Sequence, residues 1–319
     1  MNNTAFVFPG QATHYVGMGK EIAETYREAM EIYDWACDLT GVDIKRLCFE
    51  GPEEIQRLTE NNQPIIHTTS LAILNVLEKR YGLGGDATAG FSLGQYTALV
   101  YAGSLEFKDT VSLVKQRGIY MQNAVPVGKG KMLAILGLDR EEIYKIVEEC
   151  LPLGHIEPSN FNCPGQTIVA GYNAPVDKAA EMAAQRGAKT TYLAVSGPFH
   201  TVLLTEAGNQ LAREFELRNI EAKSPKIRYA DNVTGKFETE NINELLRQHV
   251  FSPVRWEESM DTMLEAGIDT FIEVGSQNFI TNLNIRCAEK HGIKANCINV
   301  RDLETLDNLL RFVEKQKLA

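Results

Sequence analysis

Nowhere in the chain do 18 apolar residues run together, so no segment reads as a helix able to cross a bilayer. The opening MNNTAFVFPGQ lacks the basic stretch and apolar run of a secretory leader. Cysteine is scarce: Cys37, Cys48, Cys150, Cys163, Cys287 and Cys297 are scattered through 319 residues without close spacing. That excludes a disulfide scaffold and argues against a structural zinc site. Low-complexity tracts, fixed-period repeats and Pro/Ser-rich linkers are also missing, so any domains pack together and are not tethered. Basic residues are outnumbered, 32 against 42 acidic, for a net charge of −10, which disfavours broad nucleic-acid binding. With 44% apolar and 23% charged residues, the composition is that of a globular chain. The expectation is a cytoplasmic protein with no metal, no nucleic-acid partner and no membrane partner.

What is present alternates. Residues 5–8 read as a short buried strand that ends at Pro9-Gly10-Gln11. Helical spacing predicts helices over 19–40, 52–59 and 64–81. A brief apolar strand at 87–90 leads directly into a helix over 93–102, and another helix follows at 109–124. From about Lys129 the rhythm changes. A strand at 131–136 precedes a helix over 139–150 with Asp139 as its N-cap. Strands at 155–162 and 166–171 meet at the turn Cys163-Pro-Gly165, followed by a helix at 174–186 and a strand at 190–195. This β-α-β-β-α-β order is the split pattern of a ferredoxin-like unit. Beyond Gly197 helices are expected at 202–217, 241–250, 254–265, 278–289 and 303–315. Strands at 227–230, 270–273 and 297–300 lie among them, with a turn at 232–235.

The predicted class is therefore α/β: a large α/β-hydrolase-like domain with a mostly parallel sheet, and a small ferredoxin-like α+β domain inserted in it. Residues 1–127 and 198–319 form the large domain and 128–197 the small one.

Gly90-Phe91-Ser92-Leu93-Gly94 matches G-x-S-x-G in the context the motif requires, a strand before and a helix after. Ser92 would sit exposed on a tight turn, and the N–H of Leu93 would be free to donate to an oxyanion. A serine nucleophile needs a base. His14, His67, His155 and His291 fall in stretches that read as loop or helix surface. His200 follows Gly197-Pro198-Phe199, a sharp re-entry from the small domain, which places it at a cleft between domains.

Taken together, these residues resemble the malonyl-CoA:acyl carrier protein transacylases and the acyltransferase domains of fatty-acid and polyketide synthases. Phe8-Pro-Gly-Gln11, Gln63-Pro64, the turn from Gly90 to Gly94, and Arg117-Gly118 with Met121-Gln122 and Ala124-Val-Pro126 follow the family's order. So do Asn162-Cys-Pro-Gly-Gln166, Gly197-Pro-Phe-His200, Asn232-Val-Thr-Gly235 and Ser252-Pro-Val-Arg-Trp256. A single match of this kind is weak, but eight in order are specific.

The resemblance implies that Ser92 attacks a malonyl thioester, with His200 as base and then acid. The N–H groups of Gln11 and Leu93 would form the oxyanion hole, and Arg117 would fork onto the free malonyl carboxylate. Gln63, Met121 and Asn162 would lie near the pocket wall, and the backbone carbonyl at His249 would orient the histidine. Malonyl-CoA and the phosphopantetheine of an acyl carrier protein would be the reactants, with no bound cofactor, and the protein would be a monomer. Two other readings share these residues: a thioesterase or acylhydrolase using the same Ser-His pair, and a non-catalytic carrier-protein docking subunit.

The chain departs from the family pattern at Phe91, where a histidine is usual, at Gln95, where a glutamate is usual, and at Ala12 and Glu273-Val-Gly-Ser-Gln277. Phe91 and Phe199 would make the pocket apolar beside the nucleophile, and Phe199 would leave no room for an α-methyl branch. Because carrier proteins are acidic, a local basic face is expected to receive one. Arg186 with Lys189, and Lys223 with Lys226 and Arg228, are the candidate clusters.

Overall fold

The computed structural model describes residues 3–11 and 13–318. Ala12, one of the departures from the family pattern named above, lies outside the described residues. Ten strands form two sheets: β1 Thr4–Phe8, β2 Ala87–Gly90, β3 Gly130–Leu136, β4 Ile156–Cys163, β5 Gln166–Tyr172, β6 Lys189–Tyr192, β7 Arg228–Ala230, β8 Val254–Arg255, β9 Thr270–Val274 and β10 Asn296–Val300.

The first sheet has the order β10-β9-β1-β2-β7 with every pair parallel. Its strands are short apolar runs because both faces are covered. In β1, Phe6 and Phe8 join the larger core on one side, while Ala5 and Val7 join a second core with Ala87, Ala89 and Phe271. The helix Thr59–Tyr81 lies in the larger core and is buried almost all round. At its centre His67 is fully buried, with one ring nitrogen 2.8 Å from Thr97 Oγ1 and the other 2.8 Å from Thr110 Oγ1. The surface position expected for His67 is thus corrected. A helix without an amphipathic stripe gives no sign of which of its faces is out.

The second sheet has the order β6-β3-β5-β4-β8. Its first four strands are antiparallel neighbours in the ferredoxin-like arrangement, with the helices Arg140–Cys150 and Asn173–Gln185 on one face. Asp139 caps the first of these helices, accepting from Glu142 N at 2.9 Å. Alternation along β3 and β5 separates the two faces. Leu133, Ile135 and Val169 pack under the helices, whereas Met132, Ala134 and Ile168 turn toward the large domain. The fifth strand, β8, comes from the large domain and pairs parallel to β4.

Several expected boundaries move. The helix expected over 19–40 breaks at Tyr26, whose extended backbone (φ −119°, ψ 118°) separates Lys20–Thr25 from Arg27–Thr40. A further helix, Ile44–Glu50, was not anticipated, although Asp43 signals it by accepting from Arg46 N at 2.9 Å. The helix read from Pro64 starts at Thr59 and carries the proline inside. The stretch read as a helix from Val254 begins as β8 and becomes helical only at Trp256, since the buried Val254 is drawn into pairing with Asn160. Residues 202–204 form a 3-10 turn before the helix Thr205–Leu217. No described helix is long and apolar enough to cross a membrane.

Candidate active site

Strand β2 delivers its last residue, Gly90, at the carboxyl end of the parallel sheet, and the helix Gly94–Tyr101 starts four residues later. Such a turn is possible only because the chain segments touch. A Cβ on Gly90 would overlap the backbone of Gly94, and one on Gly94 would overlap the carbonyl of Phe8. Between the two glycines Ser92 adopts φ 51°, the left-handed region that a serine occupies only under constraint.

His200 reaches the same point from the segment that re-enters after β6, also at positive φ (61°). Its Nε2 lies 2.7 Å from Ser92 Oγ, and its Nδ1 lies 2.9 Å from the carbonyl oxygen of His249. A carbonyl accepts only, so Nδ1 carries the proton and Nε2 is left as an acceptor for the serine hydroxyl. Burial first, and then the charge of Arg117, push His200 down to about 3, so the free site holds a neutral imidazole. His249 is itself buried, and its ring lies tilted by 42° to that of His200, with centroids 4.9 Å apart. Only its main chain bonds to His200.

Arg117, on the helix Phe107–Asn123, is 1% exposed. It donates to Gln63 Oε1 at 2.8 Å and approaches Ser92 Oγ at 3.4 Å. The ring of Tyr96 lies 5.6 Å from its guanidinium carbon. Among the described residues no carboxylate pairs with it, and its Nε has no hydrogen-bond partner. A buried guanidinium without a counter-charge is costly, and burial lowers its pKa. Gln63 stands behind Arg117 and also donates to Met121 Sδ at 3.7 Å.

A cavity of about 290 Å³ opens over Ser92 and His200, between the two sheets. Gln11, Phe91, Met121, Asn162 and Phe199 all line it. Phe91 is held by Trp256 at 5.7 Å and by Phe279 at 5.3 Å, which makes one wall aromatic. Asn162 is buried with its side-chain oxygen unpartnered. The N–H of Leu93 finds no acceptor among the described residues. Gln63, Arg117, Leu93 and His249 are not among its lining residues, although Arg117 comes within 3.4 Å of the lining Ser92 Oγ. The opposite wall, Met132, Ala134, Ile168 and 193–195, was not foreseen as part of the site, although the alternation along β3 marks which of its residues face away from the helices.

Of the anticipated basic clusters, one lies at the far end of the sheet. Arg228 pairs with Ala87 at the amino end of β2, so the Lys223, Lys226 and Arg228 cluster sits at the end of the sheet away from Ser92. Arg186 is engaged by Glu149 at 2.9 Å.

A model of the acyl transferase domain family matches residues 5–317. The malonyl CoA-acyl carrier protein transacylase of Bacillus subtilis strain 168 is 38% identical over 320 residues, covering 99% of this chain and 99% of that protein. The solved malonyl CoA-acyl carrier protein transacylase of Clostridium perfringens has a TM-score of 0.94 at 35% identity, covering 99% of this chain and 98% of that one. A malonyl-transacylase solved in complex with its type II PKS acyl-carrier protein has a TM-score of 0.91 at 35% identity, over 97% of this chain and 99% of that one.

Proposed function

The chain belongs to the acyl transferase domain family, and on that premise we propose that it transfers a malonyl group from malonyl-CoA to the phosphopantetheine thiol of an acyl carrier protein. The transfer serves fatty-acid or polyketide synthesis and passes through an acyl-enzyme on Ser92. One observation carries this reading of the site: Arg117 is buried with no carboxylate partner among the described residues, 3.4 Å from Ser92 Oγ. A substrate that brings its own carboxylate completes the pair, and a planar guanidinium holds it by two parallel bonds.

In the first half-reaction Ser92 Oγ bonds to the thioester carbon while its proton passes to His200 Nε2. The carbonyl oxygen becomes an oxyanion and takes the N–H groups of Leu93 and Gln11, each such donor being worth about 3 kcal/mol at the transition state. The C–S bond then breaks, and the departing CoA sulfur takes the proton from His200. In the second half-reaction the carrier-protein thiol gives its proton to His200 and attacks the malonyl carbon, and Ser92 Oγ leaves with that proton. The His249 carbonyl holds the imidazolium formed in each half. Phe91, Phe199 and Met121 shape the acyl pocket, and Asn162 offers its free oxygen to the substrate.

Burial, and after it the charge of Arg117, depress the pKa of His200. A bound malonyl carboxylate neutralises that charge, so the base strengthens when the correct substrate is present. This coupling favours transfer over hydrolysis of neutral esters. Brief incubation with malonyl-CoA should add one malonyl group to the peptide holding Ser92, and that label should pass to a holo carrier protein. Equal labelling of Ser92→Ala would sink the assignment.

A further inference from the structure

The nucleophile turn has a support that none of the steps above uses. The N–H of Ser92 donates to Asn232 Oδ1 at 2.8 Å, across 140 residues of chain. Asn232 is fully buried in the Asn232-Val-Thr-Gly235 turn that follows β7. Its own N–H donates to Gln95 Oε1 at 2.7 Å, and the Tyr229 hydroxyl donates to the same oxygen at 2.7 Å. Gln95 lies three residues beyond Ser92, so the bonds Ser92–Asn232–Gln95 close a ring over the turn. Asp231 shapes the adjoining loop, with Oδ1 accepting from Val233 N at 2.7 Å and from Thr234 N at 3.3 Å.

Two details set this ring apart from ordinary packing. The Asn232 N–H, which can only donate, points at Gln95 Oε1 and fixes the orientation of that amide, because a flip would turn an NH2 group against it. The Tyr229 hydroxyl lies between that oxygen and Asp231 Oδ2, at 2.7 and 3.1 Å. The Nε2 of Gln95 and the Nδ2 of Asn232 are buried without partners. Each unmet donor is a cost to folding, offset only by what the two amide oxygens accept from the buried N–H groups of Ser92 and Asn232. What the amides supply is their oxygens, and the oxygens act on the strained Ser92 backbone. The N–H of Ser92 is engaged by Asn232, while the next N–H, that of Leu93, has no acceptor among the described residues.

We infer that Asn232 is a positioning residue for acyl transfer, fixing the Ser92 turn through its side-chain oxygen, and that Gln95 acts on Ser92 only through Asn232. The inference rests on Ser92 being the nucleophile. It explains why Gln95 can stand where relatives have glutamate: the ring needs one acceptor oxygen, which both side chains offer.

The test measures the single-turnover acylation rate by malonyl-CoA, the KM, labelling by a serine-directed fluorophosphonate, and the melting temperature of each variant. Asn232→Ala should slow acylation by about 10²-fold, as expected for a misplaced reacting group, with KM within about threefold of the starting protein. Gln95→Met should slow it by about 10-fold, and Gln95→Glu should recover most of that loss. The double variant Asn232→Ala/Gln95→Met should be no slower than Asn232→Ala, because residues acting in series are not additive. Fluorophosphonate labelling should fall in parallel.

A double variant slowed by the product of the single losses would overturn the series. An unchanged acylation rate in Asn232→Ala, or a loss confined to melting temperature with the folded fraction reacting normally, would overturn the positioning role. Labelling of Ser92→Ala at the original rate would instead overturn the nucleophile assignment, so the two failures are distinct.

Discussion

The guanidinium of Arg117 and the imidazole of His200 face one hydroxyl, and their charges oppose each other. In the empty site His200 is held down to about 3 by burial and by Arg117. Lowering the pH from 8 to 5 should therefore leave the acylation rate without the bend near 6.5 that an ordinary histidine base would give. A single-turnover pH profile at subsaturating malonyl-CoA, which reports the free enzyme, reads this directly, and a limb between 6 and 7 would contradict it. Arg117→Gln removes the proposed partner of the malonyl carboxylate, and kcat/KM for malonyl-CoA should fall about 100-fold or more. Acetyl-CoA, lacking that carboxylate, should be affected far less. Because the Arg117 charge lowers the pKa of His200, its loss should move the acid limb of the acetyl profile upward. Steady-state assays with both thioesters over pH 4–8 test both statements. The sequence marked Ser92, His200 and Arg117 through motifs, but a motif contains no distances. That Arg117 lacks a carboxylate partner was invisible until helix and turn were placed together.

At the scale of elements, the site is a crossing of backbones as much as a set of side chains. Strand β2, the helix after Ser92 and the carbonyl end of β1 approach so closely that Gly90 and Gly94 admit no side chain. Gly94→Ala should force the helix away from β1, cost about 1–3 kcal/mol of stability and reduce acylation far more than its melting midpoint suggests. Urea titration beside single-turnover kinetics would separate the two effects. Equal activity per folded molecule would show that the turn tolerates displacement. The G-x-S-x-G spacing made this turn legible, since glycine at both flanks is a local demand. Local signals also gave the Asp139 cap and nearly every strand. They failed where tertiary contacts outweighed propensity. Val254 pairs with β4 although a helix begins two residues on, and Tyr26 interrupts a continuous helical pattern while its hydroxyl meets that of Tyr81 at 2.7 Å.

For the whole molecule, burial of histidine sets the response to acid. His67 and His200 are each held neutral with pKa about 3, and His249 is also pushed well down. In the unfolded chain each would bind a proton below about 6.5, so the unfolded state takes up more protons than the folded one as pH falls. Stability from these groups is fully present above 6.5 and declines as the pH drops toward 3. Asp231 and Glu273 work the other way. Buried and raised to about 6 and about 7, they favour the folded state at low pH and offset part of the decline between about 4 and 6. His67 lies away from the reacting groups, so His67→Gln should weaken the dependence of the urea midpoint on pH between 7 and 5. An unchanged slope would remove His67 from this account.

The sequence by itself determined the alternation of strands and helices, the inserted β-α-β-β-α-β unit, the nucleophile turn and the family resemblance, because each is written in short spacing or local composition. Only the tertiary structure decided that His67 is interior, that β8 joins the small sheet to the large domain, and that the far wall of the cavity comes from β3 and β5. It alone joined Ser92 to Asn232 and Gln95. Those facts depend on which faces meet across 30 to 140 residues of chain, and a linear pattern carries no record of that meeting.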